Sequence, residues 1–190
     1  MKKINALLGT LLIAAGAIAQ DTWSLDKGHS KIGFTVTHHM ISEVDGYFKT
    51  FNAKLTSSKD DFSDAVFELT AETNSINSEN EMRDKDLRSP GFFDVEKFPT
   101  LSFKSTSFKK ISGNKYTLTG NLTIKNVTKP ITMDVTLNGP EPHPWTKKPA
   151  IGIKATCKIN RKDFGVGSDM AEVMVGNEVE LRATGEFSKD

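Results

Sequence analysis

Asp26, His29 and Ser30 lie within one short stretch and are the residue types of a charge-relay triad. Triads act through three-dimensional geometry, and no nucleophile-elbow motif accompanies these residues. Their spacing supports a local hydrogen bond or a contact at a barrel mouth. His38-His39 offers two imidazoles. Adjacent residues on a strand point to opposite faces, so the pair does not converge on one ion, and a turn at a strand end is the expectation. The single cysteine, Cys157, forms neither an intrachain disulfide nor a CxxC site. Arg83-Asp84-Lys85-Asp86 reads either as a solvated helix face or as a polar rim over a ligand opening. There is no Gly-rich phosphate loop. No catalytic residue, metal or cofactor is assigned on these grounds.

The elements that would position these residues are mostly strands. Six runs alternate apolar and polar residues with period 2, the pattern of a strand with one buried face. They centre on Ile32–Val36, Ala65–Ala71, Tyr116–Ile124, Ile131–Leu137, Ile151–Ile159 and Val179–Gly185. Two further runs alternate less cleanly. In Gly46–Thr56, Phe48 and Phe51 break the phase and predict a bulge; the other run is Thr100–Phe108. Eight strands with one wet face predict an all-β, antiparallel eight-stranded barrel, which leaves no exposed edge. Ser78-x-x-Glu81 reads as a capping box that opens a short helix to about Arg88, before Pro90. Residues 138–149 hold Pro140, Pro142, Pro144 and Pro149 and are expected to be a loop. Residues 161–176 are expected to be irregular, with a helical turn at Asp169–Met174.

Residues 1–19 have the pattern of a secretory signal peptide: basic Lys2-Lys3, an apolar Leu7–Ile18 and a small-x-small Ala17-Ile18-Ala19. The apolar stretch falls short of the ~20 residues that span a bilayer. The expectation is a cleaved leader followed by one exported, periplasmic or secreted domain over 20–190. With 25 basic and 24 acidic residues, the net charge of +1 supplies no excess for a nucleic-acid or polybasic membrane-surface partner.

An eight-stranded barrel is either filled by its own side chains or holds one small ligand. Twelve Phe supply large apolar side chains. Gly120, Ala155 and Ala183 put small residues at the middle of apolar faces, which would leave space at mid-height. The alternative is that Gly120 marks a bend and the alanines face bulky neighbours.

Five ordered stretches carry a resemblance over nearly the whole chain after residue 20. Trp23 to Phe34 reads Trp-Ser-Leu-Asp-Lys-Gly-His-Ser-Lys-Ile-Gly-Phe. Arg83 to Pro99 contains Arg-Asp-Lys-Asp-Leu-Arg-Ser-Pro-Gly-Phe-Phe-Asp. The remaining three are Leu122–Pro130, Ile159–Gly165 and Val175–Val179. In these the chain resembles the YceI-like family, lipocalin-like periplasmic proteins that bind polyisoprenoids. The resemblance implies a lipocalin-like barrel with one or two short helical connections. It also implies an internal pocket for an isoprenoid chain and a carrier role rather than catalysis. Two positions depart from the family pattern: Asp86, where His is frequent, and Ser168, where an aromatic residue is common.

On this reading the apolar wall of the pocket is drawn from Phe34, Phe67, Phe92, Phe93, Leu122, Met133, Ile153, Ala155 and Leu181. The polar rim is drawn from His29, Arg83, Asp84 and Asp86. Two alternatives stay open: an enzyme acting on an isoprenoid lipid with His29 as general base, and a filled barrel that serves a structural or interaction role.

Overall fold

The computed structural model of the protein describes residues 20–190. The signal-peptide pattern of residues 1–19 lies outside the described residues. Ten strands follow in order: β1 (Asp21–His38), β2 (Ser42–Phe48), β3 (Phe51–Ser57), β4 (Val66–Glu72), β5 (Ile76–Asn77), β6 (Thr100–Ser112), β7 (Lys115–Ile124), β8 (Val127–Pro142), β9 (Pro149–Asn160) and β10 (Val175–Lys189). One α-helix, α1 (Glu81–Arg88), lies between β5 and β6. All pairings are antiparallel, and β10 returns to pair with β1, which closes the sheet.

The barrel has eight staves because β2 and β3 are two halves of one. Both pair with β1, β2 along its upper part (Ile32↔Phe48 to His38↔Ser42) and β3 along its lower part (Asp21↔Ser57 to Ser24↔Lys54). The predicted bulge is therefore a full break at Lys49–Thr50. The Lys49 and Thr50 N–H groups turn away from the ladder and donate to the Ser75 carbonyl (3.1 Å) and hydroxyl (3.0 Å). This break lets Phe48 and Phe51 both turn inward despite their odd spacing.

Two expected connections differ in extent. β8 runs on to Pro142 and β9 starts at Pro149, so the expected loop over 138–149 shrinks to 143–148. The prolines are accommodated by a register shift between Asn138 and Glu141 at the end of the ladder. In the connection before β10, a 3₁₀ turn forms at Arg161–Phe164, capped by the Asn160 side chain, and the expected turn at Asp169–Met174 is a single one in which the Met174 and Val175 N–H groups donate to the Ala171 carbonyl (2.9 and 3.1 Å). Left-handed Gly165 (φ 67°) ends the 3₁₀ turn.

The helix also starts differently from its sequence signal. Asn80 is the N-cap, accepting a 3.0 Å hydrogen bond from the Arg83 N–H. Ser78 is not available to cap. Its N–H (2.8 Å) and hydroxyl (2.5 Å) both donate to the buried Asp84 carboxylate, and Arg83 Nε donates to its hydroxyl oxygen (2.8 Å).

The lower end of the barrel, where β1 begins, is packed with rings. Trp23 meets Phe62 at 5.3 Å between centroids, Phe67 meets Phe108 at 5.0 Å, and Phe108 stacks on Tyr116 at 4.5 Å. Leu55 at their centre is fully buried. The upper end is closed differently, by buried side chains that reach in from the connections above it, among them Phe93, Phe164 and Val166. There the β4 and β6 staves stop near Glu72 and Thr100, while β1, β2, β9 and β10 continue upward. The gap is covered by the segment 78–99 and the connection 161–174, which meet where the Gly167 N–H donates to the Gly91 carbonyl (2.9 Å).

Candidate functional site: an apolar cavity along the barrel

Inward-facing side chains of a closed barrel have nowhere to go but its interior. Whether they meet there depends on their length and on the rings at each end. Above the aromatic plug they do not all meet. A cavity of about 200 Å³ extends from Leu25, Ile153 and Phe187 at its floor to Val179, Ile159 and Phe164 at its top. Along β10, from Phe187 to Val179, that is roughly 26 Å of strand, or about 20 Å of barrel height after strand tilt. Its wall is almost wholly apolar. Phe34, Leu181 and Ile153 point inward and pack against the core on one side, yet remain only partly buried because they border this space on the other.

All nine residues expected to form an apolar wall line the cavity. Phe93 comes from the segment after α1, is buried, and meets Phe48 edge-on at 5.7 Å. Phe92 and Leu87 join it, so one turn of α1 and its C-terminal extension form part of the upper wall. Ala155 and Ala183 face each other across the β9–β10 pair at mid-height and border the space. Gly120 does not. The Phe103 ring lies over it, so close that a Cβ there would sit 2.7 Å from Phe103 Cε2. The expectation that Gly120 leaves room is thus corrected: the neighbouring strand fills that room with a ring. Gly46 takes the Phe34 ring in the same way, 2.6 Å from Phe34 Cε1 to where a Cβ would be.

The four polar residues expected at a rim do not line the cavity. His29 is on the outer wall. Between Asp26↔Glu186 and Lys31↔Thr184, β1 carries three more residues than β10, and this bulge pushes His29 outward. Its Nδ1 lies 2.9 Å from Asp26 Oδ2. That hydrogen bond raises the His29 pKa from its ordinary value and lowers that of Asp26, with the Gly28 N–H also donating to the Asp26 carboxylate. On the outer face His29 does not border the cavity. Asp26, His29 and Glu186 are the one group among the described residues whose ligand atoms converge closely enough to hold a metal ion, and all lie at the surface or only half-buried. Arg83 and Asp84 brace Ser78 at the start of α1, and Asp86 is exposed on the helix. His38 and His39 fall at a strand end, as expected. β1 ends at His38, His39 enters the turn at φ 51°, and the rings meet edge-on at 4.1 Å.

Arg161 has a role at the site that the sequence did not suggest. It is 4% exposed and borders the top of the cavity. Its guanidinium donates to the carbonyls of Gly176 (2.9 Å), Val166 (3.0 Å), Gly167, Met170 (3.1 Å) and Val175 (2.9 Å), and to Asn177 Oδ1 (3.2 Å). Burial pulls its pKa below the ordinary arginine value. A single side chain thus gathers the carbonyls of the connection 161–176 and holds it over the barrel. The signal in the sequence was an arginine inside a connection rich in glycine: Gly165, Gly167 and Gly176. At Gly167 (φ 59°) a Cβ would meet Phe92 Cε1 at 2.8 Å, so glycine lets the two covering segments close together.

Known proteins share this fold. The YceI-like domain family matches residues 23–187. Protein YceI of Salmonella newport is 37% identical over 185 residues, which cover 95% of each chain. The crystal structure of Burkholderia cenocepacia BcnA superposes with a TM-score of 0.77 at 23% identity, covering 85% of this chain and 98% of that one. A polyisoprenoid binding domain from Saccharophagus degradans, implicated in plant cell wall breakdown, superposes with a TM-score of 0.66 at 12% identity, covering 88% and 98%. The two superpositions establish the barrel. The match over nearly every described residue, together with the identity to YceI, establishes that the chain belongs to the YceI-like family.

Proposed function

We propose that the protein is a carrier that holds a long apolar lipid, of the polyisoprenoid class, inside the barrel. The observation that carries this reading is the shape and chemistry of the cavity: about 200 Å³ of apolar space drawn out over most of the barrel height. An apolar cavity of about 150 Å³ already accepts a benzene ring. A long, thin space favours a chain over a compact ring system. Each methylene moved from water into such a wall gains about 0.8 kcal/mol, so a chain of many identical units is retained by its length. Ordering costs reduce the net affinity well below the sum. The likeness to a polyisoprenoid binding domain supports the same class of ligand. Phe34, Ala155 and Leu181 are the proposed contacts at mid-height, and Phe93 is the proposed contact above them. The reading includes no catalytic step.

Organic extraction of the purified protein, followed by mass spectrometry, tests the proposal. One long-chain prenyl lipid per protein is the expected result; a protein that is pure, folded and free of lipid after expression in a lipid-rich host would sink it. We further propose that residues 1–19 direct export and are removed. N-terminal sequencing of the exported protein should then begin at Gln20, and a full-length cytoplasmic product would overturn this.

A further inference from the structure

The upper end of the barrel carries apolar surface that the cavity does not explain. Seven large hydrophobic residues are exposed among the described residues, and four of them sit together on two loops. Met40 (73% exposed) and Ile41 (88%) form the turn between β1 and β2. Val173 and Met174 end the connection that precedes β10. The two loops are tied together by a hydrogen bond from the His39 N–H to the Met174 carbonyl (3.0 Å). Just below them, Val36 and Val175 line the cavity. The exposed tips are therefore continuous with the cavity wall and with the Arg161-pinned cover.

We propose that this end of the barrel docks on a lipid bilayer, with Met40, Ile41, Val173 and Met174 inserted below the head groups. Docking would bring the cover of the cavity to the membrane that supplies or receives the apolar ligand. The inference rests on the reading of the cavity as a lipid site. A bilayer fits better than a protein partner on two grounds. Four side chains make a patch of only a few hundred Å², whereas a stable protein interface buries roughly 800 Å² on each side. The residues also project as loop tips, which a deformable lipid phase accommodates without a matching rigid surface. Charge narrows the partner further. Between Thr37 and Val44, and between Gly167 and Val175, the residues charged at neutral pH are Glu43, Asp169 and Glu172, all acidic. Acidic flanks favour a zwitterionic surface and oppose an anionic one.

Flotation of the purified protein with phosphatidylcholine vesicles is the test. The wild type should float with the vesicles, and replacing a third of the lipid by phosphatidylglycerol should weaken the binding. The double variant Ile41→Asp, Val173→Asp should lose at least tenfold in partitioning while keeping its melting temperature and its extractable lipid. Ala155→Trp, which alters the cavity and leaves the tips intact, should float like the wild type. A wild type that stays in solution, or a double variant that floats unchanged, would overturn the proposal. So would a double variant whose only change on a sizing column is the loss of a dimer, since the patch would then join two copies of the chain. A wild type that floats but yields no lipid on extraction would strike the cavity reading alone and leave the docking surface standing.

Discussion

The two ends of the barrel are made from the same alternating strands, yet one is plugged by its own rings and the other is roofed over a cavity. At the lower end Trp23, Leu55, Phe62, Phe108 and Tyr116 are each 7% exposed or less and pack ring on ring. Between that plug and the upper cover, Phe34, Ile153 and Leu181 point inward but border open space. The difference lies in what covers each end. Below, Phe62 enters from the short β3–β4 connection and fills the barrel from underneath. Above, two longer connections arch over the staves and are held at their margins, one by Arg161 and the other by the Ser78–Asp84–Arg83 network. A plug stabilises by contact, and an arch encloses without filling. The same inward apolar pattern is therefore a packed core in one place and the wall of a cavity in the other.

The contrast is broken most strongly at the plug. Phe62→Ala should cost about 3–5 kcal/mol in urea titration, because it empties a fully packed site. Leu181→Ala should cost only about 1 kcal/mol, since that side chain already lacks partners on one side. Equal costs at the two positions would mean that the upper barrel is packed like the lower one.

Arg161→Leu should cost about 3 kcal/mol by leaving buried carbonyls unpaired. It should also raise the rate at which bound lipid exchanges, measured by release into acceptor vesicles. A destabilised variant with unchanged exchange would remove the connection 161–176 from any role as a cover.

Asp64 sharpens the comparison at the lower end. The Ser57 and Ser58 hydroxyls, together with the Ser58 N–H, hold its carboxyl far below its ordinary value of 3.8. A depressed carboxylate contributes stability that is fully present above the unfolded value and is lost as pH falls below it. Asp64→Ala should therefore cost about 2 kcal/mol at pH 7, and the gap should narrow steadily as pH drops below 3.8. A gap that stays constant down to pH 2 would show that the carboxylate does not brace the β3–β4 connection.

Ala155→Trp places an indole in the mid-height space. It should change stability by no more than about 1 kcal/mol, because the cavity accepts the added volume, and it should abolish extractable lipid. A large destabilisation would indicate overpacking and a filled barrel.

The smallest effect is expected at His29. His29→Ala should leave bound lipid unchanged, because the imidazole lies on the outer wall. Its raised pKa means that any stability from the Asp26 pair is present below pH 6.5 and fades as pH rises through the folded value. Loss of lipid in this variant would place His29 at the ligand after all.

Much of this architecture was legible in the residues. Alternation of period 2 located the staves and the inward faces, because a pleated strand closed into a barrel leaves only two directions for a side chain. That is why the seven wall residues that lie on strands, from Phe34 to Leu181, line the cavity, while Phe92 and Phe93 reach it from the segment after α1. The five ordered motifs were enough to indicate the family. What alternation cannot carry is the relation between strands. Gly120 looked like open space, and it is occupied by Phe103 from the neighbouring strand. His29 looked like a rim residue, but a bulge of three residues against β10 turned it outward. Ser78 looked like a helix cap, until Asp84 claimed it and Asn80 took its place. Arg161 had only the glycine-rich connection around it as a signal, because its partners are mostly backbone carbonyls, and every residue type carries one. Side-chain identity and local periodicity determined the barrel and its apolar lining. Register between strands, and the closing of distant connections over one end, decided where that lining meets and where it stays apart.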